Sequence, residues 1–384
     1  MTIRSADYTK CVHAGVRPDP QTGAIMTPIY QTSTYVQSAP GEHKGWDYSR
    51  AGNPTRDALE ESFAALEGAR FGLAFSSGLA AEQAIIQTLE PGSRVIVCDD
   101  VYGGTGRLFR RLFAKYQLDF QFVDMTSLDA VQAAINEKTR MIWLETPTNP
   151  LMKIIDIAGV ADLAKKTGAV LVVDNTFASP VFQSPLELGA DIVMHSTTKY
   201  IGGHSDIIGG AVMTSNEELH EQIRFVQFAA GAVPGPHECF LLLRSIKTLA
   251  IRMRQHHENG LELAKYLAEQ AKVEAVFHPG IESHPQFSLA QKQMRGFSGM
   301  LSFRIAGDFA KTTQFVQSLR LFELAESLGG VESLINHPEK MTHASVPENL
   351  RRQLGIGPNL LRLSVGIESA ADLIADLEQA FQQI

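Results

Sequence analysis

Cysteine is scarce in this chain: Cys11, Cys98 and Cys239 are odd in number, far apart and outside any C-x-x-C spacing. That excludes a disulfide framework and a zinc site of the usual spacing, so free buried thiols and no metal are expected. Long apolar runs are also missing. No stretch approaches the roughly 18 uninterrupted apolar residues of a membrane span, and the opening MTIRSADYTKCVHAG lacks a signal-peptide core. A soluble, cytoplasmic protein is expected. Basic charge is not in excess either: Lys plus Arg is 34 against 42 for Asp plus Glu, a net charge of −8, with the basic residues scattered. This argues against nucleic acid as a partner. Finally, neither a G-x-G-x-x-G fingerprint nor a Gly-Lys-Ser/Thr phosphate loop occurs, which argues against a nicotinamide dehydrogenase or a P-loop nucleotidase.

What is present suits a large folded protein. At 384 residues, with 44% hydrophobic and 20% charged residues, the chain fits two domains of about 100 to 200 residues each. From about residue 55 to 225, helical patterns alternate with short apolar runs. In DALEESFAALEG, Leu59, Phe63 and Leu66 share one helical face, whereas FGLAF, RVIVCD, FQFVD, MIWLE, VLVVD and DIVMH read as strands buried on both sides. That alternation implies an α/β fold with a mainly parallel sheet covered on both faces. A long helical pattern over about 238–270 leads into a second, smaller α/β domain. The first fifty residues are proline-rich and aperiodic, as expected of an arm that packs on something else. The expected division is an arm at 1–50, a large domain at 51–248 and a small domain at 249–384.

In sheets of this kind ligands bind beyond the carboxyl ends of the strands. The polar residues ending the apolar runs are Ser76-Ser77-Gly78, Asp99-Asp100, Glu145 to Asn149, Asp174-Asn175 and His195 to Lys199. SSGLAAEQA sets small residues between a strand and a helix, where free amides and the helix dipole can hold a phosphate, although a plain N-cap and tight turn reads the same way. Asp174 leaves a buried strand and wants a cation, either a protonated ring nitrogen or an ordinary cap or salt-bridge partner. In HSTTKYIGGHSD, hydroxyls precede Lys199 and glycines follow it. A lysine so placed can bond covalently to an aldehyde cofactor and then move protons, or it can be one more surface lysine.

The ordered segments YSRAGNPTR (48–56), SSGLAA (76–81), VYGGT (101–105), ETPTNP (145–150), VVDNTFASP (172–180), HSTTKYIGGHSD (195–206), AESLGGVESL (325–334), MTHASVP (341–347) and LRLSVGIE (361–368) span nearly the whole chain. Together they resemble the cystathionine γ-synthase and γ-lyase group of pyridoxal phosphate enzymes. The resemblance implies the aspartate-aminotransferase-like fold (fold type I) with pyridoxal 5'-phosphate as cofactor. It implies Lys199 as the lysine that bonds the cofactor and shuttles protons, Asp174 on the ring nitrogen and Tyr102 stacked on the ring. The phosphate would sit on the amides of Gly78 and Leu79 and the hydroxyls of Ser196 and Thr198, with Thr176 also lining the cofactor. Tyr48 and Arg50 would reach the phosphate of a neighbouring subunit, in a homotetramer built as a dimer of dimers. Arg362 would clamp the substrate α-carboxylate, assisted by Asn149 and Ser327. Arg107, Glu326 and Asp47 would line the distal end of the substrate, and Thr342 would also contact it.

Within the group, methionine γ-lyases typically carry cysteine at the position of Gly104 and an apolar residue at Glu326. Cystathionine β-lyases tend to carry an aromatic residue at Glu326. Both comparisons favour γ-chemistry on cystathionine, and GAVPGPHEC and MTHASVPEN resemble lyase segments. The expected reaction is γ-elimination to cysteine, 2-oxobutyrate and ammonia. The alternative is γ-replacement joining cysteine to O-succinyl- or O-acetylhomoserine. A methionine γ-lyase and a non-catalytic cofactor-binding protein rank below these, the latter because Lys199 and Arg362 are both present.

Overall fold

Seven strands form the larger sheet of the computed structural model, which describes residues 3–344 and 346–384. They are β1 Phe71–Phe75, β2 Arg94–Cys98, β3 Asp119–Val123, β4 Thr139–Glu145, β5 Val170–Asp174, β6 Ile192–Ser196 and β7 Gly210–Thr214. Their spatial order is β1-β7-β6-β5-β4-β2-β3, and all but β7 run in one direction. The mainly parallel sheet expected from the alternation is therefore present, and its six parallel strands end on one edge. Strand β7 escapes a sequence reading because GAVMT has few large apolar residues, opens on the second glycine of Gly209-Gly210 and is bounded by no helix on its N-terminal side.

Alternate residues of these strands feed two cores. Leu73, Phe75, Ile192 and Met194 join one, whereas Ala74 and Val193 join the other. Such two-sided burial is why the runs read as continuous apolar stretches. Four helices matter for the site: α1 Ser5–His13, α2 Pro54–Glu67, α3 Gly78–Ile86 and α4 Gly103–Arg107. The second starts where Asn53 Oδ1 accepts the amides of Thr55 and Arg56, with Pro54 in its first turn, and packs on β1 and β7.

A five-stranded sheet forms the second layer system: β8 Val273–Phe277, β9 Met300–Ile305, β10 Glu323–Leu324, β11 Leu334–Asn336 and β12 Leu360–Ser364, in the order β10-β11-β12-β9-β8. Phe303, Phe315, Leu361, Leu363, Leu377 and Phe381 pack beneath it with essentially no exposure. Truncating one of these phenylalanines to alanine costs about 3 to 5 kcal/mol on removal of transfer and cavity terms together.

Two expectations require correction. The helical pattern over 238–270 is two helices, Pro236–Ile246 and Leu249–Ala268, broken at Lys247-Thr248. Arg252 occupies the break: its Nη2 donates to Ser245 O at 3.1 Å and its Nη1 to Tyr200 O at 2.6 Å. The buried guanidinium thus satisfies a carbonyl freed by the break and ties it to the residue after Lys199. The division expected at 248/249 falls at this break. The arm also differs from a featureless segment. Helix α1 packs on α2 and on Leu249–Ala268, and Cys11 joins the core of its own chain. Residues 20–50 are largely exposed, with Ile25 and Val36 at 80% and 94% exposure. All three cysteines are buried and free. Among the described residues, no helix is long and apolar enough to cross a membrane.

Candidate active site

Strand direction decides which side chains meet. The ends of β1, β4, β5 and β6 deliver Ser76 to Gly78, Glu145, Asp174 and Ser196 to one edge of the sheet. At the start of α3, Ser77 caps its own helix, its Oγ accepting Ala80 N at 3.0 Å and its carbonyl accepting Ala81 N at 3.1 Å. The amides of Gly78 and Leu79 are left without an acceptor among the described residues. They form an open cradle for an anion at the positive end of the helix. Glycine at 78 lets Ser196 approach closely, since a Cβ there would lie 3.0 Å from the Ser196 Cβ and crowd it. Ser196 is thereby brought against the cradle. Its amide donates to Thr176 Oγ1 at 2.9 Å. Thr198 lies beside it, but its hydroxyl already exchanges bonds with Gly209, donating at 3.3 Å and accepting at 3.1 Å. Of the hydroxyls expected to line a phosphate, that of Thr198 must release Gly209 O to donate elsewhere.

Asp174 is buried, and its Oδ1 accepts the Thr176 amide at 2.9 Å. No cation lies within ion-pair distance of it among the described residues. Burial pushes its carboxyl above the usual range, while the Thr176 bonds and His195 pull it down. A carboxylate held this way has room for one cationic partner. Its neighbour Glu145, paired with it across β4 and β5, is pushed well above the usual range by burial and by Asp174 itself.

Tyr102 precedes α4, and its amide donates to Glu145 Oε2 at 2.9 Å. Its ring is 38% exposed and lies over Gly104, where any Cβ would run into it. A side chain at 104 therefore excludes this ring position. Thr342 sits close by, its carbonyl against Gly103 and its hydroxyl paired with His343 Nδ1 at 2.8 Å.

Lys199 closes the cluster. Its Nζ donates to Ser327 Oγ at 2.7 Å. Burial first and the Arg362 charge second lower its pKa from 10.5 to about 8, with Glu326 opposing both. Ser327 adopts φ +88°, a conformation that costs a non-glycine residue about 1 to 3 kcal/mol and persists only where its surroundings hold it. The same serine accepts Arg362 Nη2 through its carbonyl at 3.0 Å. Arg362, fully buried, also donates Nη1 to Asn149 Oδ1 at 2.7 Å and Nε to the Asn336 amide oxygen at 3.2 Å. With its second Nη2 hydrogen also on Asn336, the fork keeps one free hydrogen, on Nη1. A two-pronged grip on a carboxylate then requires Asn149 or Ser327 to let go.

The chain thus brings together Gly78, Leu79, Tyr102, Asn149, Asp174, Thr176, Ser196, Thr198, Lys199, Ser327, Thr342 and Arg362. Glu326 is exposed at the mouth, near enough for its charge to act on Lys199, Tyr102 and Arg362. Arg107 is exposed one turn beyond Tyr102 and acts on it through charge. Asp47, Tyr48 and Arg50 are not brought in. All three are exposed, and Arg50 lies over the Tyr48 and Phe228 rings with its Nη1 on Phe228 O. Sequence reasoning passed over Glu82, on α3, whose Oε1 accepts the Thr105 hydroxyl at 2.9 Å and whose Oε2 is buried without a partner. Its only signal was a carboxylate at the fifth position of α3, whose other residues apart from Gln83 are small or apolar.

A parallel sheet with a lysine, an anion cradle and an unpaired buried carboxylate on one edge defines an enzyme scaffold for a phosphate-bearing ring cofactor with an aldehyde. The residues fit pyridoxal phosphate on each count. The chain belongs to the Cys/Met metabolism PLP-dependent enzymes, the family that matches residues 8–382. It is 52% identical over 374 residues to a cystathionine β-lyase of Coxiella burnetii, covering 97% of both chains. It is 51% identical over 378 residues to a cystathionine γ-synthase of Mycobacterium tuberculosis, covering 98% of this chain and 97% of the relative. The crystal structure of a cystathionine γ-lyase from Lactobacillus plantarum, complexed with L-serine, superposes at a TM-score of 0.96 with 45% identity, covering 98% and 99%. The fold is that of the aspartate-aminotransferase-like enzymes, and the protein is a pyridoxal-phosphate-dependent enzyme.

Proposed function

We propose that the protein cleaves cystathionine at its γ-carbon, releasing cysteine, 2-oxobutyrate and ammonia. The observation that carries this reading is Glu326, an exposed carboxylate at the mouth of a site whose inner end holds Lys199 and Arg362. A substrate with a carboxylate and amine at one end and an ammonium at the far end matches that charge order. Arg107 and Thr342 belong to the same distal end, and Asp47, which this chain does not bring to its own site, joins it from the adjacent subunit together with Tyr48 and Arg50.

Pyridoxal phosphate, when bound, supplies an electron sink that stabilises negative charge on the substrate. Gly78, Leu79, Ser196, Thr198 and Thr176 hold it at the phosphate side, Asp174 at the ring nitrogen and Tyr102 at the ring face. Arg362 fixes the substrate carboxylate with Asn149 and Ser327 around it, orienting the α-carbon. Lys199, once its amine is free, takes a proton from Cα, gives that proton up so that the amine is neutral again, then takes one from Cβ and passes a proton to the leaving sulfur. A pKa of about 8 suits an amine that must both accept and give protons near neutral pH. The Ser327 hydroxyl aims that amine. Tyr48 and Arg50 serve the phosphate of an adjacent subunit in a tetramer built as a dimer of dimers, with 1–50 as arm, 51–248 as cofactor domain and 249–384 as the small domain.

The same residues serve γ-replacement, in which cysteine displaces the activating group of O-succinyl- or O-acetylhomoserine, and the γ-synthase relative supports keeping that reading. A substrate panel separates the two: cystathionine, methionine, homocysteine, and both activated homoserines with and without cysteine, read out for oxo-acid and thiol. Oxo-acid with cysteine from cystathionine supports γ-elimination. Pyruvate with homocysteine refutes it in favour of β-cleavage, and turnover only with activated homoserine and cysteine refutes it in favour of synthesis.

A further inference from the structure

The reading above uses one buried carboxyl of the site floor, Asp174, and leaves its neighbour Glu145 without a task. The two residues are direct partners across the parallel strands β4 and β5, and both are buried. No cation lies within ion-pair distance of either among the described residues. Two such carboxyls cannot both be ionised cheaply, so one keeps its proton. Glu145 also has a mechanical connection. Its Oε2 accepts the Tyr102 amide at 2.9 Å, and its own amide donates to Cys98 Sγ at 3.3 Å. It therefore links the residue read as facing the ring nitrogen to the residue read as covering the ring.

We propose that Glu145 is a positioning residue that acts as a neutral acid: its carboxyl oxygen fixes Tyr102, and its retained proton leaves Asp174 as the sole negative charge facing the cofactor's ring nitrogen. This rests on the reading of Asp174 and Tyr102 given above. The surroundings favour the proton on Glu145. Asp174 from β5, Asp100 from the turn after β2 and Glu82 from α3 all press negative charge on it. Cys98 on β2 is itself pushed up by burial and by Glu145. Arg362 on β12 is the cation that acts in the opposite sense, and His195 on β6 acts on Asp174 instead. Asp174, which has the Thr176 amide and hydroxyl to stabilise its charge, is the better anion of the two. Because burial raises the Glu145 carboxyl in the folded state, its protonated form supports the fold at low pH. That support is lost as pH rises through the raised value.

The test compares the cofactor-loaded wild type with E145Q, E145A and D174N. Glutamine keeps an acceptor for Tyr102 and carries no charge. E145Q is expected to retain pyridoxal phosphate within about threefold of wild type from pH 6 to 9, and E145A to lose at least about tenfold in affinity as the Tyr102 amide loses its acceptor. The infrared spectrum of the wild type at pH 8 should contain a protonated-carboxyl stretch that E145Q lacks. An E145Q as weak in cofactor as E145A overturns the proposal, and so does a wild-type spectrum at pH 8 without a band that E145Q removes. D174N answers the separate question beneath: wild-type retention there removes the role of Asp174 on which the inference stands, whereas a charged Glu145 with a weakened D174N removes only the inference.

Discussion

Arg362→Leu is expected to damage the enzyme in two separable ways, because Arg362 touches the substrate end of the site and also acts on Lys199. The first loss is binding. One or two charge-assisted bonds to the substrate carboxylate, at about 1.5 to 3 kcal/mol each, give about 3 kcal/mol, or roughly 150-fold in kcat/KM for cystathionine. The second is a pH shift. Burial and the Arg362 charge together hold Lys199 at about 8 rather than 10.5. Removing the cation makes the protonated amine easier to keep, so the value must rise. The whole lowering, from 10.5 to about 8, is about 2.5 pH units, or about 3.4 kcal/mol at about 1.36 kcal/mol per unit, and the Arg362 share is the smaller one. Burial, the larger cause, stays, so the rise is about one unit. Only the neutral amine attacks an aldehyde. The rate at which cofactor-stripped protein recaptures pyridoxal phosphate should therefore climb through about pH 8 in the wild type and about one unit higher in Arg362→Leu. Arg362→Lys keeps the charge but loses the fork, so it should lose kcat/KM with the rate profile near its wild-type position. A profile that stays put in Arg362→Leu, or moves to lower pH, refutes the electrostatic coupling.

Glu326→Gln and Asp47→Asn should mainly raise KM for cystathionine. A carboxylate-to-ammonium contact is worth roughly 1.5 to 3 kcal/mol where desolvated, hence about tenfold to a hundredfold in kcat/KM. Unchanged kinetics in both variants would return these residues to ordinary surface charges. Lys199→Ala should lose the visible absorbance of the bound cofactor and its turnover, and Arg50→Ala should retain cofactor poorly. Mixing the two inactive variants after gentle dissociation should restore activity in hybrid dimers if each site draws on two chains. No recovery despite demonstrated subunit exchange means that each chain builds its own site.

Local pattern carried the fold class and most of the rim. Two-sided apolar runs separated by helical periods identify a parallel sheet before any strand order is known, and a parallel sheet puts its strand ends together. That is why Ser76 to Gly78, Asp174 and Lys199 could be singled out together. Contacts across long separations were not legible. Lys199 and Ser327 meet across 128 residues and Arg362 and Asn149 across 213; the resemblance of whole segments paired the second couple, and nothing in the sequence paired the first. The Glu145–Asp174 pairing depends on β5 lying between β4 and β6, a fact of strand order that no periodicity encodes. The break at Lys247-Thr248 was hidden for a different reason. Both flanking helices keep helical periodicity, and the arginine that repairs the break acts from the second of them. Strand β7 carried too few large apolar residues to register, although it is central to the sheet edge beside β1.

Ser327 holds the amine of Lys199 with its hydroxyl and the guanidinium of Arg362 with its carbonyl. One residue in a left-handed turn therefore sets the aim of the proton carrier and the seat of the substrate's anchor at once. For anyone altering the enzyme's substrate range, position 327 offers no independent adjustment. A change that moves its carbonyl to admit a different carboxylate geometry also moves the hydroxyl that aims the base, so binding and turnover shift as a single trait.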